Sequence, residues 1–181
     1  IMARAQLGVG FSEFSERFVK AVSVTAYLIG ICKTPVFAVI IATVEQAKEW
    51  GVPYAVISGI DHCIETHNLG MRDLTDSVST RTAASRAGMD AGKVDVAELY
   101  APFSHQEIIL TRALGLDEGT SVNPSGGVLA GNLMMASGLS RVGEVFNRIV
   151  KGEAHRGIAH ATSGPCLQHN LVTVLEQGEN A

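Results

Sequence analysis

Apolar and polar positions along this chain fall into short runs of two kinds. Val36 to Ala42 reads Val-Phe-Ala-Val-Ile-Ile-Ala, a near-continuous apolar run that predicts a strand buried on both faces. Thr43 to Trp50 has helical composition and stops at Gly51, and Tyr54 to Ile60 predicts a second strand. The rhythm continues with a helix from about Asp76 to Ala87 before Gly88, then a strand from Val94 to Leu99. Helices follow over His105 to Leu114, ending at Gly115, and over about Met134 to Val150, ending before Gly152. Two last strands lie around and after His160; Gly157-Ile158-Ala159 leads in, and Leu171, Val172, Val174 and Leu175 lead out. Strands alternating with helices predict an α/β domain with a mixed sheet covered by helices.

Residues 1 to 34 carry the weakest pattern. Phe11 to Lys20 fits an amphipathic helix, with Ser12 as its cap. The domain division is therefore drawn as 1–34, a lead-in segment, and 35–181, the folded domain. A chain of 181 residues that is 46% hydrophobic and 18% charged can bury a core as one domain. A net charge of −4 gives no electrostatic case for nucleic acid, and no run reaches the length of a membrane span. There is no signal-peptide pattern, and the first residue is Ile, so the sequence reads as a fragment. Cys32, Cys63 and Cys166 are odd in number and unpaired in spacing, which suits reduced thiols and a cytoplasmic location.

Candidate chemistry concentrates in Gly157 to Glu176. Here His160 precedes a small, hydroxyl-rich turn, Ala161-Thr162-Ser163-Gly164-Pro165. Gly-Pro fixes the backbone sharply, so His160 is expected at a strand end with polar neighbours. The alternative is a satisfied histidine beside an ordinary hairpin. Cys166 reads as a buried structural thiol. In Asp61-His62-Cys63-Ile64-Glu65-Thr66-His67, an extended backbone would put Cys63, Glu65 and His67 on one face. They lack a fourth ligand, so no metal site is expected.

Two earlier stretches give His160 a context. One is Val94-Asp95-Val96-Ala97-Glu98-Leu99-Tyr100-Ala101-Pro102-Phe103-Ser104; the other is Asn123-Pro124-Ser125-Gly126-Gly127 with Ala130-Gly131-Asn132-Leu133-Met134-Met135-Ala136-Ser137-Gly138-Leu139. In this order, the three resemble the active-site segments of the C-terminal half of thiolases, in particular the lipid-transfer and acetyl-CoA-acetyltransferase-like branch. The likeness runs from about Ala42 to Gln177. It implies one half of a five-layer αβαβα arrangement, with residues 1–34 as the tail of the loop domain. The family's Asp-Gly-Ala turn is replaced here by Cys32-Lys33-Thr34-Pro35-Val36-Phe37-Ala38.

Thiolase chemistry makes or breaks a carbon–carbon bond beside a thioester carbonyl. It needs a base, donors for an oxyanion, and usually a cysteine nucleophile, which the family carries in its N-terminal half. The resemblance places His160 where standard thiolases use a cysteine acid/base, and an imidazole with an ordinary pKa near 6.5 is competent there. Thr162 and Ser163 would hold it or donate to substrate. His169, in Gln168-His169-Asn170, is a second candidate for that role. Tyr100 matches the position of a water-holding asparagine, with Phe103 and Ser104 as landmarks; its hydroxyl can donate to an oxyanion. The alternative for Tyr100 is an anchor at the strand–helix corner. Gly131-Asn132-Leu133 stands where thiolases have Gly-His-Pro. Asn132 can donate to a thioester oxygen but cannot shuttle a proton, and it is equally suited to capping the following helix. Ser125, Gly126, Gly127 and Gly131 would line the substrate, the glycines letting backbone approach the thioester.

The implied function is an acyl-CoA enzyme, or a subunit or fragment of one, catalysing acyl transfer or carbon–carbon bond formation or cleavage. Its substrate is a coenzyme A thioester, with no covalently bound cofactor. The alternatives are a retro-aldolase on a β-hydroxyacyl-CoA and a non-catalytic acyl-CoA-binding subunit. Implied partners are the N-terminal thiolase half, a second copy in a homodimer or higher oligomer, and an OB-fold/zinc-ribbon acyl-CoA-associated protein. The chain alone is expected to be inactive.

Overall fold

The computed structural model describes residues 20–27 and 36–178. Its strands are β1 (Lys20–Tyr27), β2 (Val36–Thr43), β3 (Ala55–Ile64), β4 (Val96–Glu98), β5 (Ser121–Val122), β6 (Arg156–Ser163) and β7 (His169–Gln177). They form one seven-stranded sheet in the order β2-β1-β3-β7-β6-β4-β5. β4 runs parallel to β5 and β6, and the other pairings are antiparallel, so the sheet is mixed as expected. The helices are α1 (Val44–Trp50), α2 (Val78–Arg86), α3 (Ser104–Ala113), the short α4 (Gly127–Ala130) and α5 (Ser137–Val150).

Strand side chains alternate between the two faces of this sheet, and each face has its own core. On one face, Ala97, Leu99, Ile158, Val172 and Val174 pack with Ala83, Ala84 and Ala87 around α2 and with Leu110 of α3. On the other, Val96, Ala159 and Leu175 pack with Val145, Phe146 and Ile149 of α5. Small residues let the helices come close. A Cβ on Gly59 would lie 2.0 Å from the Ala87 carbonyl oxygen, so β3 passes directly beneath the end of α2.

The α-helical terminators act as their residue types dictate. Thr43 caps α1 by accepting from the Gln46 N–H (3.1 Å), and Gly51 ends it in the left-handed region at φ 62°. The predicted strand at 54–60 runs on through Ile64, because β3 pairs with β7 as far as Ile64↔His169. The helix expected over 134–150 is a 3-10 turn at Met134–Ala136 followed by α5. β1, β5 and α4 had no clear signal in the sequence. Residues 11–19 of the expected N-terminal helix lie outside the described residues, as does the 34/35 boundary; Lys20 begins β1.

The expectation that Val36–Ala42 is buried on both faces is corrected. β2 is an edge strand, and its Ile40 and Ile41 are each about half exposed, at 50% and 53%. Apolar composition reported a strand but not its place in the sheet. Among the described residues, no helix is long and apolar enough to cross a membrane.

Candidate functional site

β6 brings the third sequence segment beside the first and second. It pairs in parallel with β4, Glu98 opposite Ala159, while α5 packs across it; a Cβ on Gly138 would lie 2.9 Å from the Ala161 Cβ. A cavity of about 350 Å³ opens where these elements meet. Tyr100 lines it from the first segment, Met134, Met135 and Gly138 from the second, and Ala161, Thr162 and Ser163 from the third. Larger clefts of about 520 and 550 Å³ lie beside α2 and α3, but no residue of the three segments lines them.

His160 is not at this cavity. β6 does not end at His160 but continues through Ser163, which pairs with His169, so His160 sits three residues inside the strand. Adjacent residues of a strand face opposite ways, and Ala161 takes the α5 side. His160 therefore points towards α2, fully buried. Its Nδ1 accepts from the Tyr100 backbone N–H (3.3 Å), which puts the ring proton on Nε2, 2.9 Å from Asn170 Oδ1. Asn170 Nδ2 in turn donates to Ser79 Oγ (2.7 Å) and the Leu167 carbonyl (2.8 Å), and Ser79 Oγ donates to Glu65 Oε2 (2.6 Å). Burial pushes the His160 pKa down to about 4, only partly opposed by the Asn170 hydrogen bond. The imidazole is thus neutral and doubly hydrogen-bonded, the satisfied histidine among the sequence alternatives.

The second segment rests on a charged pair that the sequence did not single out. Arg141 of α5 and Glu98 at the end of β4 are both buried, with Nη1 2.8 Å from Oε2. Ser125 is bound to this pair. Its N–H and Oγ donate to Glu98 Oε1 (3.0 Å) and Oε2 (2.8 Å), and its Oγ accepts from Arg141 Nη1 (3.1 Å) and the Gly127 N–H (3.1 Å). Gly126 and Gly127, at φ 89° and 62°, turn the chain here. Ser125 and both glycines are thereby held in the loop below the cavity rather than on its wall. Gly131 is extended, with open space where a Cβ would stand.

Asn132 caps a turn, though not an α-helix. Its Oδ1 accepts from the Met134 N–H (2.9 Å) and Ser137 Oγ (3.2 Å), which leaves its Nδ2 without a partner among the described residues. Phe103 is 60% exposed at the start of α3, with its ring stacked on His105. His169 is half-buried beside the cavity-lining Ser163. Cys166, expected to be buried, is exposed: Cys166 and Leu167 take φ 51° and 56°, and only Leu167 turns inward. Cys63 packs inward against the α2-side core and Glu65 is engaged by Ser79, so neither converges with the exposed His67. Among the described residues, no group of three or more His, Cys, Asp or Glu could hold a metal ion.

A solved structure, that of human mitochondrial 3-ketoacyl-CoA thiolase, superposes with a TM-score of 0.61 over 80% of this chain at 20% identity. This chain has a thiolase-like fold. It is the type of the thiolase C-terminal half, and it spans 37% of the length of that thiolase chain. No protein-family model matches the sequence, and no curated protein is significantly similar to it. Within the thiolase-like frame, the residues missed by sequence reading are Glu98, Arg141, Ser79 and Asn170. All four are polar residues whose partners lie on other elements. Only the placement of Glu98 and Asn170 inside the quoted segments drew attention to them.

Proposed function

We propose that this chain is the acyl-CoA-handling, C-terminal-type half of a thiolase-like enzyme. Its reaction would be acyl transfer, or carbon–carbon bond formation or cleavage beside the thioester. The observation carrying this reading is that three segments far apart in sequence converge on one cavity, whose lining includes Tyr100 and Ser163. In this reading, the Tyr100 hydroxyl and the free Asn132 amide donate to the thioester carbonyl oxygen as negative charge develops on it. His160, enclosed behind the strand with its Nδ1 on the Tyr100 N–H, serves as a positioning residue for Tyr100 rather than as the base.

Exposed apolar side chains on β2, β3 and the 3-10 turn, among them Ile40, Ile60, Ile64 and Met135, support association with a second thiolase-type half and with another copy. An OB-fold/zinc-ribbon acyl-CoA-associated protein is a further proposed partner. The free thiols of Cys63 and Cys166 suit a cytoplasmic setting.

A second reading is carbon–carbon cleavage of a β-hydroxyacyl-CoA, which the hydroxyl-bearing Tyr100 and Ser163 at the cavity would suit. In that cleavage a base takes the β-hydroxyl proton, the bond between the α and β carbons breaks, and the enolate is protonated at the α carbon. The test uses the full-length protein and an acetyl-CoA analogue with CH₂ in place of the thioester sulfur. Calorimetry should find binding that Ala161→Phe weakens at least about tenfold in the folded variant, since the added ring takes up part of the cavity, and the melting temperature reports any strain against the close Gly138. Tyr100→Phe should lower kcat about 10²–10³-fold in whichever of thiolysis or retro-aldol cleavage is active. Absence of analogue binding, or equal binding by Ala161→Phe, would overturn the reading.

A further inference from the structure

Ser163, His169 and His62 stand in line on the α5 face of the sheet. Ser163 and His169 are directly paired across β6 and β7. His169 is paired with Ile64 across β7 and β3, which places His62 two residues along on the same face. Ser163 Oγ lies 3.3 Å from His169 Nδ1, and His169 Nε2 lies 3.3 Å from His62 Nδ1. The two rings meet edge to face, 72° apart with centroids separated by 5.2 Å. Ser163 lines the cavity and is itself exposed, His169 is half-buried, and His62 is exposed to solvent.

A neutral imidazole donates from one ring nitrogen and accepts at the other. His169 therefore has two complementary states. In one, Nε2–H donates to His62 Nδ1 while Nδ1 accepts from the Ser163 hydroxyl. In the other, Nδ1–H donates to Ser163 Oγ while Nε2 accepts from the Nδ1–H of His62. Passing between them moves a proton in at one end and out at the other.

We propose that Ser163, His169 and His62 form a proton relay between the cavity and solvent, with His169 as its central acid/base group. This rests on the proposed acyl-CoA function for the reaction it would serve. As a substrate proton passes to Ser163 Oγ, the serine's own proton moves to His169 Nδ1. The Nε2 proton of His169 moves to His62 Nδ1, and His62 releases its Nε2 proton to water. No bond between protein and substrate carbon is formed, and no oxidant or reductant is consumed. The relay supplies the exchange that His160 cannot, because His160 faces the other side of the sheet and neither of its ring nitrogens is free.

The relay is tested in the full-length protein by ¹⁵N NMR of its histidines and by kinetics. Ser163→Ala should shift the His169 Nδ1 resonance, and His62→Gln the Nε2 resonance; an unmoved His169 signal in both variants overturns the relay without reference to any substrate. In turnover, His169→Ala should lower kcat about 10²–10⁴-fold with KM little changed, and added imidazole should restore part of the rate. His62→Gln should give a smaller loss in kcat. His169→Gln, with an unaltered melting temperature, guards against misfolding. Wild-type protein that binds the thioester analogue and turns over, with His169→Gln as active as wild type or His169→Ala beyond rescue by imidazole, would overturn the relay alone. Failure of wild-type protein to bind the analogue would sink the acyl-CoA reading, while the NMR result still decides the relay.

Discussion

His160 Nε2 lies 2.9 Å from Asn170 Oδ1, and this bond joins β6 to β7 inside the α2-side core. Ser163 and His169, three residues further along β6 and one residue earlier in β7, are directly paired and face the other way. The parity of a strand thus separates a sealed histidine from an accessible one within the same hairpin.

The sealed histidine makes stability depend on pH. Its folded-state pKa of about 4 lies below the ordinary 6.5, so the unfolded chain takes up this proton first as pH falls. The contribution of neutral His160 is complete above pH 6.5 and is lost progressively as pH falls to about 4. It amounts to about 3 kcal/mol. Urea unfolding at pH 7.5, 5.5 and 4 should show a loss in wild type that is smaller by this amount in His160→Gln. Parallel pH dependence in the two proteins would mean that His160 protonates readily when folded.

The Glu98–Arg141 pair underpins the Asn123–Gly127 loop, and its two members should fail unequally. Arg141→Leu leaves a fully buried carboxylate without its cation and should cost about 3–5 kcal/mol. Removing both charges, in Glu98→Leu with Arg141→Leu, should cost less than Arg141→Leu alone, because no unpaired charge stays behind. Denaturant midpoints of the single and double variants check this; additive losses would contradict it.

Close approach of β3 to α2 gives a third expectation. Gly59→Ala would set a methyl 2.0 Å from the Ala87 carbonyl oxygen, a backbone atom that no side-chain rotation can move aside. The strand or helix must shift, at a cost of about 1–3 kcal/mol or more. Gly51→Ala is the comparison. Its Cβ would meet nothing within 4 Å, so only the left-handed backbone opposes it. A thermal melt in which Gly59→Ala is as stable as Gly51→Ala would contradict this packing.

By itself the sequence determined the local features. Apolar runs and Gly stops located β2, β3, α1 to α3 and the β6–β7 hairpin, because period and capping act over a few residues. The ordered trio of segments also led to the thiolase-like fold, since spacing along the chain carries topology. Tertiary structure alone decided which side chains share a space. Whether His160 or Ala161 meets the cavity turns on one residue of strand parity and on β6 pairing through Ser163, which no local pattern encodes. Burial of Glu98 beside Arg141, and the meeting of His62 with His169 across 107 residues, depend likewise on pairings between distant elements. β2 was legible as a strand but not as an edge, because an apolar run states what can be buried, and only the neighbouring elements settle what is.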